Sequence, residues 1–509
     1  MAKELLGLTV SQLAASVALA FVVSILCIFG LNNYVLMCLR IKVCRYMRAR
    51  REMRELKECP FVTIQVAIYN EGNIVTRLLE SCLKIDYPAD KFEIVVIDDS
   101  TDETINILKD YEERYYPKIK IIHRDRRAGH KAGALNEALK NSKGEFILVL
   151  DADSVLKPDF LKRAIPLFLE DEKLGLIQGK LKHLNEEESW LTRTLAFISD
   201  WFSNLLQASF SGCRMVMGFV GHGGIFRRKA LEDIGGWMSD TISEDLDIAY
   251  GLQLKGWKAL YVEDAISFEE VPPSYFSAVI RFKRHIKGSL QNLIKHWWPI
   301  IRHKSLSLSG KIEALMQLAY SLVYPLGLLC LALTLLVYII IPGAAIDGFW
   351  HSITGFVCSF IILISLPSVA LIISPIPSFL IILLILAFAL ILFPKLKEIA
   401  RRIKWANHEV IFGLLLVWYD NILNCLSPIA EILLGREGEW IPTERSLRRT
   451  PLNRSKKIRE ITLRILASCA LTLFFFVNAI SIKNFSLNSL GLLLLAGFWL
   501  CSAYLIIRN

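Results

Sequence analysis

The sequence predicts an α/β domain with a mostly parallel sheet, joined to membrane-spanning α-helices. Three observations carry that prediction. The chain of 509 residues is 53% hydrophobic with a mean hydropathy of +0.42, yet 21% of it is charged. A soluble part joined to a membrane part fits both figures. Several runs free of Asp, Glu, Lys and Arg reach the roughly 20 residues that cross a bilayer as a helix. Residues 60–180 alternate short apolar runs with amphipathic stretches. The same composition excludes a disordered chain, since so apolar a sequence can bury a core. The 11 cysteines are scattered and none forms a C-x-x-C pair, which argues against a disulfide scaffold and structural zinc.

Taken in order, residues 1–39 read as an N-terminal transmembrane helix. Leu5–Leu39 carries no charge and is expected to be an uncleaved signal anchor. A basic linker, 40–59, follows with Arg40, Lys42, Arg45, Arg48, Arg50, Arg51, Arg54 and Lys57. Residues 60–310 form the α/β domain, and 311–434 hold transmembrane and interfacial helices. Within the latter, Ala314–Ile346 and Gly348–Pro394 are uncharged, and Ile411–Ala430 is broken by Asp420. Pro367, Pro375 and Pro377 divide Gly348–Pro394 into two helices. A second basic segment, 435–461, precedes a C-terminal hairpin, 462–509, made of Ile465–Ile482 and Asn484–Ile507. Basic residues stay on the cytoplasmic side, which places 60–310 in the cytoplasm of a multi-pass cell-membrane protein with six or seven spans.

Inside the domain, Phe61–Ile68, Phe92–Ile97, Lys118–Ile122, Phe146–Leu150 and Leu174–Gln178 read as buried strands. Ile74–Leu83 and Thr104–Tyr115 read as helices between them. Ligands of such sheets bind outside the carboxyl ends of the strands. There the first strand meets Tyr69-Asn70-Glu71-Gly72, the second Asp98-Asp99-Ser100-Thr101-Asp102 and the fourth Asp151-Ala152-Asp153. A lone Asp-x-Asp is usually a solvated turn or a helix cap. Three acidic strand ends in sequence gather negative charge at one edge, and a cation relieves it. A hard divalent ion, Mg²⁺ or Mn²⁺, held by carboxylate oxygen and completed by a nucleotide diphosphate, fits that edge. No Gly-rich phosphate loop is present, so the metal is expected to carry much of the phosphate neutralisation.

These motifs resemble those of family 2 glycosyltransferases, whose catalytic domain has the Rossmann-like GT-A fold. The resemblance runs from Pro60 to Trp298, more loosely to Thr443, and is strongest to the membrane-embedded branch with mannan-synthase-like and cellulose-synthase-like enzymes. Val66-Ala67-Ile68-Tyr69-Asn70-Glu71 is similar to the nucleotide-binding V-P-x-Y-N-E, with Ala67 for Pro. Asp98–Asp102 is similar to the base- and ribose-binding D-D-S-T-D, and Gly129–Leu135 to the donor-side G-x-K-A-G-A-L. Asp151-Ala152-Asp153 resembles the metal motif, Gln178–Asn185 resembles Q-x-R-W-x-H-x-N with Lys180 and Leu181 as departures, and Ser243-Glu244-Asp245 resembles T-E-D. The family's Q-x-x-R-W stands here as Arg281-Phe282-Lys283-Arg284-His285.

The resemblance implies donor binding by Ala67, Tyr69, Glu71, Asp98, Asp99, Lys131, Asp151 and Arg284, with metal at Asp151 and Asp153. It assigns Asp245 as the catalytic base, with Glu244 beside it orienting the acceptor. His222 and His285 are the acceptor-side candidates. A single base without a covalent nucleophile implies inversion, so an α-linked UDP-glucose or GDP-mannose would give a β-linkage. The Trp that His285 replaces stacks the acceptor's terminal sugar in polymerising relatives, which sets long-chain synthesis against a single transfer to a lipid- or protein-linked acceptor. A silent scaffold is the third reading, and the retained carboxylates Asp99, Asp151, Asp153, Glu244 and Asp245 speak against it. Membrane lipids are expected partners and nucleic acid is not.

Three further segments bear on the path to the bilayer. Trp190–Leu205 and Tyr275–Trp298 carry apolar residues at helical spacing and suit either buried packing or the membrane surface. Gly435–Thr443 resembles a segment that closes over the donor. Apart from the resemblance, Glu244 and Asp245 precede an amphipathic stretch, Leu246–Leu254, and suit a plain helix cap.

Overall fold

A computed structural model describes residues 10–48, 59–340, 408–436, 454–482 and 487–508. Gly348–Pro394, residues 49–58 of the first basic segment and residues 437–453 of the second, which include most of the closing segment, lie outside the described residues.

The five expected strands are all present. They are β1 (Val62–Ile68), β2 (Phe92–Asp98), β3 (Ile119–His123), β4 (Phe146–Leu150) and β6 (Leu174–His183). Three more complete the sheet: β5 (Val155–Leu156), β7 (Gly224–Arg227) and β8 (Lys258–Glu269). The order is β3-β2-β1-β4-β7-β6-β8-β5. β1 to β4 pair in parallel, with Ile68 opposite Asp98 and Val66 opposite Leu150. β7 runs antiparallel to both β4 and β6. β6 and β8 pair in parallel and β5 antiparallel to β8, so four of the seven pairings are parallel in a sheet that β7 and β5 make mixed. For β7 the reason is local: Gly223 N donates to Val149 O at the carboxyl end of β4, so the chain enters β7 from that edge and must run back down it.

Side chains alternate across the strands and sort into two layers. Val62, Ile64, Val66 and Ile68 of β1, with Phe146, Leu148 and Leu150 of β4, pack beneath helices Gly72–Leu83 and Phe160–Glu170. Ile147 and Val149 face the other way, against Leu135 of helix His130–Lys140 and Ile248 and Leu252 of helix Glu244–Leu254. Full burial of one Leu or Ile stabilises by about 1.5–3 kcal/mol, so these layers dominate the domain's cohesion.

Among the described residues, Val10–Asn33, Leu308–Val337 and Glu409–Leu433 are helical stretches long and apolar enough to cross a membrane. The third runs straight through Asp420, because Arg464 of helix Arg454–Ile482 pairs with that carboxylate at 2.6 Å. Trp190–Ser199 packs on this stretch, with Leu191 and Leu195 against Leu416 and Val417. Tyr275–Arg302 is one 28-residue helix lying between the α/β domain and the membrane helices.

Candidate active site

The strand order turns at β1, which has β2 on one side and β4 on the other. The crevice at such a turning point is where doubly wound sheets bind ligands. A cleft opens there, lined from the ends of β1 and β4 and from helix Tyr275–Arg302.

The β1 and β2 ends are knitted together. Asn70, at φ 55°, donates its N–H to Ser100 Oγ at 2.8 Å, and its Oδ1 accepts from Thr101 N at 2.8 Å. Ala67, Tyr69, Glu71 and Asp99 line the cleft. Arg124 grips Asp99 with two bonds, 2.7 and 2.6 Å. Arg127 covers the Tyr69 ring at 3.9 Å and also lines the cleft. Asp98 does not. It is 1% exposed, its Oδ1 accepts from Ser100 N at 3.0 Å, and its Oδ2 meets His123 Nδ1 at 2.8 Å. Its last-strand-residue position turns it inward, to hold the loop that presents Asp99.

Across the cleft, Lys131 stands in the first turn of helix His130–Lys140. Its Nζ donates to Asp151 Oδ1 at 2.5 Å and to Gly221 O at 2.8 Å, and lies 3.9 Å from Glu244 Oε1. Burial alone would lower its proton affinity, but Asp151 and Glu244 outweigh burial and raise it. Asp153 is 2% exposed, and its Oδ2 accepts from Glu270 N at 3.0 Å.

Glu244 and Asp245 are the first two residues of helix Glu244–Leu254, not the residues before it. The helix N-terminus favours their negative charge. Asp245 Oδ1 accepts from Leu246 N, the next residue, at 2.8 Å, and the helix has no side-chain cap bond, so neither carboxylate is a plain helix cap. Asp245 Oδ2 faces Gly221, where an added Cβ would sit 3.1 Å away and where φ is +94°, so glycine alone suits the turn. Burial pushes both carboxyls up, with Lys131 pulling the other way; Glu244 reaches about 7. The Asp245 carboxyl thus has greater proton affinity than a solvated aspartate and lines the cleft.

Helix Tyr275–Arg302 brings Arg281, Arg284 and His285 to the cleft. Burial, with Arg281 and Arg284 beside it, pushes the His285 imidazolium down to about 3, so the ring is neutral. Arg281 is 3.3 Å from Glu269, which ends β8. Burial alone would raise the Glu269 carboxyl, but Arg281 and His222 outweigh it and hold it well below the usual range. His222 does not line the cleft. It is 1% exposed, with Nδ1 at 3.2 Å from Ser154 Oγ and Nε2 at 3.2 Å from Glu269.

Eleven expected residues therefore share one cleft: Ala67, Tyr69, Glu71, Asp99, Lys131, Asp151, Asp153, Glu244, Asp245, Arg284 and His285. The sequence reading missed Arg127 and Glu269. Glu269 was within reach, since it is a further acidic strand end at the same edge. Arg127 has no periodicity to mark it. Among the described residues no three His, Cys, Asp or Glu could hold a metal alone. The donor set instead suits a hard cation arriving with phosphate, with the Lys131 ammonium occupying Asp151 in its place.

Residues 60–287 match the family model described as "Glycosyltransferase like family 2". Glucomannan 4-beta-mannosyltransferase 2 of Arabidopsis thaliana is 34% identical over 233 residues, covering 44% of this chain and 43% of its own length. Glucomannan 4-beta-mannosyltransferase 1 of Cyamopsis tetragonoloba is 34% identical over 243 residues, 46% of each chain. The chain thus spans less than half the length of these relatives. A mannosyltransferase from Pyrobaculum calidifontis, solved with GDP-Man and Mn2+, superposes at a TM-score of 0.48 with 20% identity, covering 81% of this chain and all of that one.

Proposed function

We propose, from the premise that residues 60–287 form a family 2 glycosyltransferase domain, that this protein transfers a hexose from a nucleotide-diphosphate sugar to a polysaccharide with inversion at the anomeric carbon. One observation carries the reading. The Asp245 carboxyl, raised by burial, faces the Lys131–Asp151 pair across a glycine-only turn. A carboxyl of raised proton affinity and a cation thus stand side by side around Gly221 in one cleft.

The step follows from that geometry. The acceptor hydroxyl oxygen bonds to the anomeric carbon, its proton passes to Asp245, and the bond from that carbon to the diphosphate oxygen breaks. The electron pair leaves with the nucleoside diphosphate. Arg284 and Lys131 stabilise the developing negative charge, and Arg284's planar fork suits diphosphate oxygens. Asp99 and Tyr69, steadied by Arg124 and Arg127, form the wall for the nucleoside. Mg²⁺ or Mn²⁺, held by Asp151 with Asp153 behind it, would supply further charge neutralisation to the leaving diphosphate. The relatives' names make mannose the leading hexose and GDP-mannose the first donor to test, with UDP-glucose next.

A single transfer to a lipid- or protein-linked acceptor is the second reading. The observation that favours it is the small, neutral His285 ring beside an Arg281 committed to Glu269. The basic segments flanking the spans support a cytoplasmic domain in either case.

The test is release of nucleoside diphosphate from a donor panel by purified protein with Mn²⁺ or Mg²⁺. Asp245→Asn should lower turnover about 10²- to 10⁴-fold while donor affinity stays within a few-fold. Product size on gels separates polymer from single transfer. Turnover by Asp245→Asn equal to wild type would remove the base from the scheme.

A further inference from the structure

Helix Tyr275–Arg302 has two working faces. At 100° per residue, Arg281, Arg284, His285, Gly288 and Asn292 fall within an arc of about 100°. The first three line the cleft, and the last two brace the turn that presents Glu244 and Asp245. Asn292 Nδ2 donates to Ser243 O at 3.1 Å, and Gly288 leaves no room for a Cβ against Ser243. Tyr275 and Lys283 lie on the opposite side, toward the membrane helices.

That opposite face ends in a buried ionic chain. Lys283 Nζ donates to Glu460 Oε1 at 2.5 Å. Glu460 Oε2 accepts from Arg464 Nη1 at 2.9 Å. Arg464, wholly buried, places Nε and Nη2 on the two oxygens of Asp420 at 2.8 and 2.6 Å. Its remaining N–H groups reach Glu460 O and Asn424 Oδ1 at 3.0 and 2.6 Å. Ser502 Oγ donates to Asp420 at 2.8 Å, and the Tyr275 hydroxyl bonds the same carboxylate. Helices His408–Asn424, Arg454–Ile482 and Leu487–Arg508 are thereby locked to one another, and Lys283 fastens the cleft-lining helix to them.

We propose that Lys283 and Glu460 are positioning residues of the transferase, registering Arg284, His285 and the Glu244–Asp245 turn against the membrane bundle through Arg464 and Asp420. Removing Lys283 leaves Arg464 shared by two carboxylates, Glu460 and Asp420, so some stability is lost with it. The Tyr275–Asp420 and Lys287–Glu431 contacts still hold the helix to the bundle, so the fold survives while the tie nearest Arg284 and His285 is cut. The proposal rests on the transferase reading above.

The test compares full-length wild type, Lys283→Met and Lys283→Arg in detergent, with GDP-mannose and UDP-glucose and Mn²⁺. It reads kcat and KM for nucleoside diphosphate release beside thermal unfolding. Lys283→Met should lower kcat roughly 10- to 100-fold, the scale of a displacement near 1 Å, with KM for donor within about threefold. Its unfolding midpoint should fall by a few degrees, about what the loss of one cation from the chain predicts, and Lys283→Arg should recover it. Lys283→Arg, which keeps the charge and the reach, should restore kcat to within about threefold of wild type. Wild-type kcat in Lys283→Met overturns the positioning role alone. A fall in kcat matched by a fall in midpoint, and shared by Lys283→Arg, reduces the contact to a structural one and also overturns it. No release by the wild type from any donor overturns the transferase reading and this role with it.

Discussion

Gly288→Ala should nearly abolish activity in a protein that still folds. Gly288 sits mid-helix, where an added Cβ would lie 1.9 Å from Ser243 Oγ and 2.6 Å from Ser243 Cβ. Rotating the hydroxyl relieves the first clash but not the second, which is a backbone-anchored carbon. An ordinary contact needs 3.4 Å or more, so the Ser243 backbone must retreat by most of an ångström. Two stability effects then oppose each other. Overpacking costs about 1–3 kcal/mol, while replacing a helical glycine by alanine gains about 1 kcal/mol. The net loss is at most ~2 kcal/mol. The geometry has no such offset, because Glu244 and Asp245 follow Ser243 directly and move with it. A displacement near 1 Å costs about 10²-fold in rate. The assay is nucleoside diphosphate release at saturating donor, beside a thermal unfolding curve. A variant with a lowered midpoint and turnover within threefold of wild type would show that the Ser243 turn does not set the base.

Two further predictions concern buried charge. Arg464→Met leaves Asp420 and Glu460 without the cation between them, and breaking such a pair costs about 3–5 kcal/mol; a midpoint shift under ~2 °C in detergent would show the network to be incidental. Glu269 has a folded carboxyl held well below its ordinary value once Arg281 and His222 overcome burial. A depressed carboxylate stabilises at pH above its unfolded value, about 4.3, and that stability is lost as pH falls through the lower folded value. His222, whose proton affinity Glu269 raises, makes the midpoint difference between wild type and Glu269→Gln vary near neutral pH, but as pH falls below about 4 that difference should shrink; a difference undiminished in strong acid would contradict the assignment.

The parts of the site that local pattern can encode were legible in advance. β1, β2 and β4 are short apolar runs closed by carboxylates, and their burial forces those carboxylates to one edge. β7 escaped notice because it has only four residues, and β8 because Glu263, Asp264 and Glu269 break its apolar pattern while its register shifts between Gly179 and Lys180 of its neighbour. Asp98 and His222 were placed by motif, but which way a side chain turns depends on partners such as His123 and Glu269, far off in sequence. Asp420 is the plainest case. Alone it reads as an interruption of an apolar run, and its meaning lies in Arg464, 44 residues on.

The seven residues Asp200–Leu206 wind as a π-helix between Trp190–Ser199 and Gln207–Gly212. The wider turn absorbs one residue and shifts the angular phase of everything after it by roughly 100°. Before the slip, Leu191 and Leu195 address Leu416 and Val417; after it, Leu206, Ala208 and Phe210 address Leu36 of the first helix. At the slip itself Asn204 copies a strand residue, donating to Leu181 O at 2.8 Å and accepting from Leu181 N at 2.9 Å. One continuous rod thus works as a keyed coupling. It meets two membrane helices that an ideal α-helix of the same length would not face together, and its phase is pinned to the sheet by the Asn204 amide and by Ser211 Oγ, which accepts from Tyr261 N at 2.9 Å. Adding or removing one residue here would turn one of its two faces by roughly 100° away from its partner helix.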